Sequence, residues 1–401
     1  MKGIGDRVAE YYPALGRLAV GKHATGNHDA GKHAAGRPVA SALDRFGAAL
    51  LSLQRGLTGD RRLAGASYFS RADLLGAYLL YYWPVSFVQA SLALREIDMR
   101  GALPKIRRVL DLGAGPGPAS FAAAELGAES VTLVDANGEA LEAALRLKEN
   151  VAGLGAEFVT VWRNFEEDGD IPAGPYDLII ACHSANELWK EKDDAVERRA
   201  GLFERAFGQL ADGGILLVIE PAANVTGRPA LALRDRLLER GRERGMSCVA
   251  PCPGSLDCPI ASAGEGRSCH SSWPWEPTGP VAALARAAGL DRDSAKATWF
   301  AMKKAPPPDA KLEGGDRLAG RIVSESMLNK AGRVRYIVCT ASGLATVSAK
   351  RGDSGADGAG FFSLRRGDCI EAQALEKRAG ENSFGFAVGT RLKIALKAPE
   401  A

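Results

Sequence analysis

Four of the seven cysteines lie in one stretch, residues 246–276, and thiols this close together can do chemistry. They could form disulfides, bind zinc or hold an iron–sulfur cluster. Structural zinc sites space paired ligands by about two to four residues, and only Cys248 and Cys252 satisfy that spacing. Some iron–sulfur ligands precede proline, as Cys252 and Cys258 do here. Because Gly, Ser and Pro supply loop rather than core around these thiols and Cys269, we predict a metal or cluster site, with zinc and iron–sulfur both open.

A glycine-rich stretch, VLDLGAGPGPAS at 109–120, follows an apolar run and opens a helical pattern. Gly113, Gly115 and Gly117 would let the backbone turn tightly and approach a ligand closely. The spacing is G-x-G-x-G, which differs from the G-x-G-x-x-G of dinucleotide-binding proteins. A turn that only connects a strand to a helix is the alternative, but the strand–turn–helix setting favours a cofactor site.

Here the sequence resembles the class I S-adenosylmethionine-dependent methyltransferases, over roughly residues 107–221. The first motif of that family is D/E-x-G-x-G-x-G, and Asp111 fills its acidic place. The resemblance implies that the glycine loop binds S-adenosylmethionine. It also implies that Asp135, which ends the second strand, accepts hydrogen bonds from the ribose hydroxyls, as acidic residues do in Rossmann folds. Asn164, at the end of the third strand, is expected to contact the adenine.

The residues after the predicted fourth strand, CHSANELW at 182–189, do not specify a reaction. The Asn/Asp-Pro-Pro-Tyr/Phe motif of many exocyclic-amine methyltransferases is absent from the sequence, and Cys182 follows alanine rather than proline. His183, Asn186 and Glu187 could contact a substrate or cap the next helix. We therefore assign no catalytic residue, and whether the chain transfers methyl groups stays open.

Five short apolar runs alternate with amphipathic helical patterns from residue 107 to about 221. Continuous apolar strands indicate a parallel sheet covered on both faces, and right-handed crossovers then give a doubly wound, Rossmann-like α/β domain. Helical patterns at 41–57 and 70–97 precede it, the second with a break expected at Pro84. The cysteine-rich stretch is an insertion late in this domain.

The pattern changes after the proline-rich linker APPPDA at 305–310. Short strand-like runs separated by Gly, Asn and Asp predict a small all-β, barrel-like domain. The predicted organisation is an N-terminal low-complexity stretch and helix (1–66), a methyltransferase-like domain (67–305) and a C-terminal β domain (311–401). A short repeat at 21–37 contains three of the five histidines and is interpreted as a flexible linker, with metal binding as the alternative.

Composition limits the location and the partners. The hydrophobic fraction of 46 % and the charged fraction of 25 % are those of a folded soluble protein. No apolar run has the length of a membrane span, and the N-terminus lacks an apolar signal-peptide core. We therefore expect a cytoplasmic protein without membrane association, monomeric when free. Stable disulfides are not expected in that compartment.

A fuller resemblance joins the two motif regions. APCPGSLDCPI, CHSSW, DLGAGPG, NEL and CTASG together resemble a family of methyltransferase-like proteins of the small ribosomal subunit, over about 67–375. Mitochondrial members of that family are assembly factors, and bacterial members exist. The resemblance implies a [4Fe–4S] cluster held by Cys252, Cys258, Cys269 and Cys339. Cys248 is a rival fourth ligand because it is local to the loop, and Cys369 is interpreted as structural.

The leading hypothesis is therefore a small-subunit maturation factor that binds S-adenosylmethionine and rRNA and carries a structural [4Fe–4S] cluster. The alternative is an active RNA, protein or small-molecule methyltransferase unrelated to ribosome assembly, with zinc at the cysteines. Radical S-adenosylmethionine chemistry is disfavoured because Ser255 occupies the third place of a C-x₃-C-x₂-C pattern. From residue 302 onward, 17 Lys/Arg oppose 11 Asp/Glu, which predicts phosphate contacts in the C-terminal domain. The residues proposed for these contacts are Arg333, Arg335, Lys350, Arg351, Arg365 and Arg366.

Overall fold

The structure is a computed structural model that describes residues 3–21, 38–65, 68–252, 257–264, 268–290, 293–304, 317–353 and 355–401. The histidine-containing repeat lies outside the described residues apart from Gly21, as does the proline-rich linker at 305–310. Within the described ranges, no helix is both long enough and apolar enough to cross a membrane.

The helices fall into an N-terminal group and a group that follows individual strands. Their bounds are α1 Ile4–Val20, α2 Pro38–Gln54, α3 Ala72–Ala77, α4 Trp83–Met99, α5 Pro118–Glu125, α6 Gly138–Glu149, α7 Ala195–Phe207, α8 Asn224–Gly241, α9 Pro259–Ser262 and α10 Gly279–Ala287. The predicted helix at 70–97 is interrupted by a π-helical turn, Tyr78–Tyr82, between α3 and α4. Pro84 lies in the first turn of α4, directly after this π-helical turn, so the break expected at Pro84 lies just before it.

Eight strands form the first sheet. They are β1 Arg108–Leu112, β2 Ser130–Asp135, β3 Glu157–Trp162, β4 Tyr176–Cys182, β5 Leu210–Pro221, β6 Met246–Ala250, β7 Ser271–Pro274 and β8 Ser294–Lys304. The order is β3-β2-β1-β4-β5-β8-β6, with β7 also paired to β8. Strands β1 to β5 pair in parallel, and β8 runs antiparallel between β5 and β6. The predicted doubly wound α/β domain is confirmed.

The apolar strands explain why both faces of this sheet are covered. Successive residues of a strand point to opposite faces, so an uninterrupted apolar run needs a core on each side. Val109 of β1 belongs to the core that also contains residues of α4 and α5, while Leu110 belongs to the core that contains residues of α7 and α8. The sheet therefore ends its parallel strands at one common edge, next to the loops that follow them.

The second sheet forms the C-terminal domain, as the strand-like runs predicted. Its strands are β9 Arg317–Ile322, β10 Met327–Leu328, β11 Arg333–Thr340, β12 Gly343–Lys350, β13 Cys369–Gln373, β14 Glu376–Lys377, β15 Ser383–Gly385 and β16 Arg391–Leu396. The order is β14-β15-β12-β11-β9-β13-β16, with β10 paired to β11. In the described residues, the end strands β14 and β16 do not pair with each other, so the sheet follows an open path.

One cross-strand row of the second sheet faces the first domain. Arg321 of β9 is the register partner of both Cys339 on β11 and Cys369 on β13. Arg321 is 2 % exposed, and its guanidinium donates to Ser271 at 2.9 Å and lies 3.5 Å from the carboxylate of Glu96, which is fully buried. The two domains are therefore joined through a buried ion pair.

Candidate cofactor site and cysteine cavity

The glycine loop has the backbone geometry that only glycine adopts easily. Gly113, Gly115 and Gly117 have φ values of +70°, +54° and +79°. A Cβ on Gly113 would lie 2.3 Å from the Cβ of Ser184, whose hydroxyl donates to the carbonyl of Leu112 at 2.6 Å. The loop therefore has no room for a side chain at its first glycine.

Asp135 faces this loop from the end of β2. Its carboxylate accepts hydrogen bonds from the backbone N–H groups of Gly115 and Asn137, both at 2.8 Å. Burial raises the pKa of Asp135, and these backbone hydrogen bonds partly oppose that effect. The carboxylate is thus held in a fixed position beside the loop, as a ribose-binding group requires.

Asp111 and Gly117 lie behind the loop and do not line the cavity in front of it. Asp111 is 1 % exposed and accepts a 2.7 Å hydrogen bond from the hydroxyl of Ser120. Its Oδ1 atom has no hydrogen-bond partner among the described residues. Burial raises the pKa of Asp111 to about 7. Gly117 is the N-cap of α5, so both residues support the loop from below.

A cavity of about 590 Å³ opens in front of the loop, and we call it the glycine-loop cavity. It is lined by four of the six predicted cofactor residues, Gly113, Gly115, Asp135 and Asn164. The Asn164 side chain is engaged locally, because its Nδ2 donates to Glu167 at 2.9 Å and its Oδ1 accepts from the Glu166 N–H at 3.0 Å. The volume lies within the range of small-molecule sites.

The N-terminal helices supply a wall that the sequence analysis missed. Tyr68, Phe69, Tyr78 and Tyr82 line the glycine-loop cavity. Adjacent ring centroids lie 4.3–5.8 Å apart. Burial raises the pKa of the Tyr68 and Tyr78 hydroxyls, which therefore stay protonated. The sequence pattern that could have indicated this wall is the aromatic cluster YLLYY, which forms the π-helical turn. Such turns often occur at functional sites.

His183 directly follows β4 at the wall of the cavity and has a φ of +62°, which is unusual for a residue with a side chain. Its Nε2 lies 2.7 Å from Oε1 of the buried Gln89. The Gln89 amide nitrogen donates to the carbonyl of Lys296 at 2.6 Å, which orients its oxygen toward the imidazole. His183 therefore donates through Nε2–H in its neutral form, and its acceptor nitrogen is Nδ1.

Asn186 and Glu187 hold neighbouring segments together. Asn186 is buried, and both its backbone N–H and its side-chain amide donate to the carboxylate of Glu220. Glu187 accepts a 2.9 Å hydrogen bond from the backbone N–H of Gly65. The N-cap of α7 is Asp194, so the alternative that His183, Asn186 or Glu187 caps the next helix is wrong.

Two carboxyl groups near this end of β4 are electrostatically unusual. Burial raises the pKa of Glu220 to about 8, although hydrogen bonds from Asn186 and the charge of Arg199 oppose the shift. Burial likewise raises the pKa of Glu187 to about 7. Both groups therefore change charge near neutral pH, one in the core and one at the cavity wall.

A second cavity, of about 810 Å³, lies between the two domains, and we call it the cysteine cavity. Cys252, Cys258, Cys269 and Cys339 all line it. Cys248 does not line it; that side chain is fully buried, and its thiol donates to the carbonyl of Ala250 at 3.3 Å. The four cysteines that the family resemblance named thus line one cavity, whereas Cys248 contacts Cys252 from the core without lining it.

Positive charge surrounds these thiols. Arg234 of α8 and Arg321 of β9 line the cysteine cavity, and each is 2 % exposed. The Nε atom of Arg321 has no hydrogen-bond partner among the described residues. A hydrogen bond with the Cys248 thiol lowers the pKa of Cys252, and Arg234 and Arg321 lower it further. Each guanidinium already has a carboxylate partner, Asp235 for Arg234 and Glu96 for Arg321, and both add positive charge beside the thiols, which favours thiolate over thiol.

The other cysteine thiols have different surroundings from those of Cys252. Burial raises the pKa of Cys269 to about 12. Cys182 lines the glycine-loop cavity, and Cys369 accepts a hydrogen bond from Arg100 at 3.4 Å. Among the described residues, no group of three or more His, Cys, Asp or Glu side chains is arranged to hold a metal ion. Zinc and the iron–sulfur cluster therefore stay predictions.

Comparison with known proteins identifies the family. The family model described as "Mitochondrial small ribosomal subunit Rsm22" matches residues 73–365, well over half of the chain. The chain belongs to this family. The match includes the glycine loop, all four cysteines of the cysteine cavity and the first four strands of the second sheet, so the resemblance inferred from the motifs is confirmed. The Rsm22 family is thus represented here by a methyltransferase-like α/β domain joined to a C-terminal β domain.

Individual proteins are similar to this chain over part of its length or at low sequence identity. A curated ribosomal protein L11 methyltransferase of Geotalea uraniireducens is 36 % identical over 141 residues, which are 35 % of this chain and 41 % of the relative. The match thus spans about two fifths of that relative. A SAM-dependent methyltransferase of Leishmania major is 16 % identical, with a TM-score of 0.37, over 66 % of this chain and 82 % of its own. The magnesium protoporphyrin IX methyltransferase of Synechocystis PCC 6803 is 11 % identical, with a TM-score of 0.34, over 64 % and 96 %.

Proposed function

We propose that this protein is a maturation factor of the small ribosomal subunit that binds S-adenosylmethionine and rRNA and carries a structural [4Fe–4S] cluster. The observation that carries the proposal is the cysteine cavity. Four cysteines from two domains surround one space beside two buried arginines, in a chain of the small-subunit family. We expect the protein to be cytoplasmic and monomeric when free.

The glycine-loop cavity is the proposed S-adenosylmethionine site, and that cofactor supplies an activated methyl group when bound. Gly113 and Gly115 let the backbone approach the ligand without a side chain intervening. Asp135 would accept the ribose hydroxyls, and Asn164 would contact the adenine. Asp111 and Gly117 would act indirectly, by fixing the loop and the first turn of α5.

The proposed cluster ligands are Cys252, Cys258, Cys269 and Cys339. Three belong to the first domain and one to the second, so a bound cluster would fasten the domains together. The guanidinium groups of Arg234 and Arg321 would offset the negative charge of the thiolates. Zinc at the same cysteines is the alternative occupant.

A second candidate function is methyl transfer to RNA, and one observation favours it. His183 has a strained backbone within the glycine-loop cavity, and Gln89 fixes its tautomer. Because His183 also lines the cavity, its side chain can orient a substrate beside the proposed cofactor site. Transfer of labelled methyl groups to rRNA in small-subunit precursors, lost in His183→Gln, would support this function.

The test of the main proposal has two measurements on the full chain. Anaerobic purification should give a brown protein with about four irons and four sulfides per chain, the composition of the proposed cluster. The same protein should co-sediment with small ribosomal subunits at low salt. One zinc per chain without sulfide would overturn the cluster, and failure to co-sediment would overturn the ribosomal assignment.

A further inference from the structure

The six basic residues predicted to contact phosphate are not equally available. Four are paired with carboxylates of the same domain. The pairs are Arg333 with Asp353 at 3.1 Å, Arg351 with Asp357 at 3.1 Å, Arg365 with Glu400, and Arg366 with Glu325 at 2.9 Å. A cation that must first leave a carboxylate contributes less to phosphate binding than one that is already free. Only Arg335 and Lys350 of the predicted set lack such a pair among the described residues.

Another strand carries a further group of cations without a carboxylate partner among the described residues. Arg391 and Lys393 of β16, with Lys397 just beyond it, are exposed, and no carboxylate of the described residues pairs with any of them. Residues of a strand that are two apart point to the same face, about 6.6 Å from each other. β16 therefore presents a cationic stripe, which we define as Arg391, Lys393 and Lys397.

The position of the stripe makes it accessible. β16 is the last strand of the second sheet, so one side of it is open. Its alternate residues Leu392 and Ile394 pack against the core of the domain and fix the register of the stripe. Arg391 is the register partner of Gln373, which pairs in turn with Arg317, so a fourth exposed cation lies on the same face two strands away.

One carboxylate tempers the charge of this face. Glu371 is the register partner of Lys393 but does not form an ion pair with it. The face therefore keeps a net positive charge, with Arg317 and the stripe on it against Glu371. A surface of this kind matches a phosphodiester backbone, whose negative charges are regularly spaced and which releases its condensed counterions when protein cations bind.

We propose that the β16 stripe is the main RNA-backbone contact of the C-terminal domain. This inference rests on the proposed function, because the RNA partner follows from it. Lysines on an edge strand also discourage strand pairing between molecules, so the stripe has an alternative role that the test must separate.

The test measures binding of the full chain to in vitro transcribed small-subunit rRNA between 50 and 200 mM salt. Each lost phosphate contact lowers the slope of log affinity against log salt by about 0.7–0.9. Arg391→Gln/Lys393→Gln should therefore lower it by about 1.4–1.8 and shrink the affinity loss over this range about 7- to 12-fold. The matched control, Arg351→Gln/Arg365→Gln, removes the same charge from paired arginines and should change the slope by less than half as much.

Each outcome has a distinct meaning. If the wild-type chain does not bind rRNA, the proposed function fails and this inference fails with it. If the wild type binds and both double variants change the slope equally, only the stripe is wrong. Unchanged binding with increased self-association of the stripe variant would assign β16 to edge protection. Binding of the wild type to phosphatidylserine vesicles as tightly as to rRNA would point to a membrane partner instead. Arg391→Lys/Lys393→Arg should keep the wild-type slope.

Discussion

The two cavities of this protein are built in different ways. The glycine-loop cavity lies at the carboxyl ends of the parallel strands of the first sheet, and the ends of β1, β2 and β3, with the segments that follow them, contribute Gly113, Asp135 and Asn164 to its lining. The cysteine cavity has no such edge. Its cysteines come from a loop after β6, from the segment before β7 and from β11 of the other domain. The glycine-loop cavity therefore depends on the fold of the first domain, and the cysteine cavity depends on how the two domains pack against each other.

The comparison predicts that the cysteine cavity depends on tertiary contacts that the glycine-loop cavity does not need. Substitutions at the domain interface should remove metal from the cysteine cavity and leave S-adenosylmethionine binding unchanged. Substitutions in the glycine loop should weaken S-adenosylmethionine binding and leave the metal content unchanged. The predictions below test this independence, beginning with the largest expected effect.

Cys339→Ser should remove most of the iron and sulfide and lower stability by several kcal/mol, because bound metal adds to the folding free energy. Cys248→Ser should keep the metal, since Cys248 lies outside the cysteine cavity. Iron and sulfide analysis with thermal unfolding of both variants measures the difference. Loss of metal in Cys248→Ser with retention in Cys339→Ser would show that Cys248 is the fourth ligand and that the site lies within the cysteine-rich stretch alone.

Arg321→Met should destabilise the protein by about 3–5 kcal/mol, because it leaves a buried carboxylate without one of its partners. Glu96 is fully buried and, among the described residues, would keep Arg100 as its one ion-pair partner, at 2.9 Å. The matched control is Arg365→Met, which breaks an exposed pair and should cost less than about 1 kcal/mol. Urea unfolding measures both, and equal costs would mean that the interface does not depend on this pair.

Glu220→Gln should remove a pH dependence of stability. The pKa of Glu220 rises from 4.5 to about 8 on folding, so the protonated form is favoured in the folded state. The stability that this group contributes is complete below pH 4.5 and is lost as the pH rises to about 8. We expect a loss of about 2–4 kcal/mol across this window in the wild type and a flatter profile in the variant. Parallel profiles for the two proteins would argue against a buried neutral Glu220.

Gly113→Ala should weaken S-adenosylmethionine binding at least about tenfold, or ~1.4 kcal/mol, because the new methyl group displaces Ser184 from the loop. Gly127→Ala is the control, since Gly127 also has a positive φ, +91°, but has open space around it. Calorimetric titration gives the affinities, and metal analysis should find equal iron in both variants. Loss of iron in Gly113→Ala would show that the two cavities are coupled.

The coupling, if present, has a structural route. The segment Pro221–Ala223 before α8 lines the glycine-loop cavity, and Leu231 and Arg234 within α8 line the cysteine cavity. β8 does the same, with Lys296 at one cavity and Trp299 at the other. Both elements are packed in the core, so the separation of the two sites is a matter of degree.

The sequence was informative where local pattern and tertiary position coincide. The apolar runs predicted the parallel sheet, and the glycines at 113, 115 and 117 have the left-handed backbone that the motif implies. Asp135 could be placed because its strand ends where the sheet ends. The aromatic wall of Tyr78 and Tyr82 could not, because its position depends on how the N-terminal helices pack across the cavity.

The cysteine cavity was recognised through the family and not through spacing. Nothing local connects Cys339 with Cys269, since the contact requires the second sheet to dock with its Arg321 row against the first domain. The same limit applies to charge. Counting Lys and Arg identified the C-terminal domain as basic, but the ion pairs of Arg333 and Arg351 depend on turns that only the fold creates.

The buried pair of Glu96 and Arg321 also restricts how this architecture can be recombined. Each partner belongs to a different domain and is buried, so removing either one leaves the other with an uncompensated charge. A chimera that takes its C-terminal domain from another protein must therefore place a cation opposite Glu96 of α4. Otherwise the acid on α4 must be changed as well. The two domains therefore cannot be exchanged independently of each other, even though a proline-rich segment separates them in the sequence.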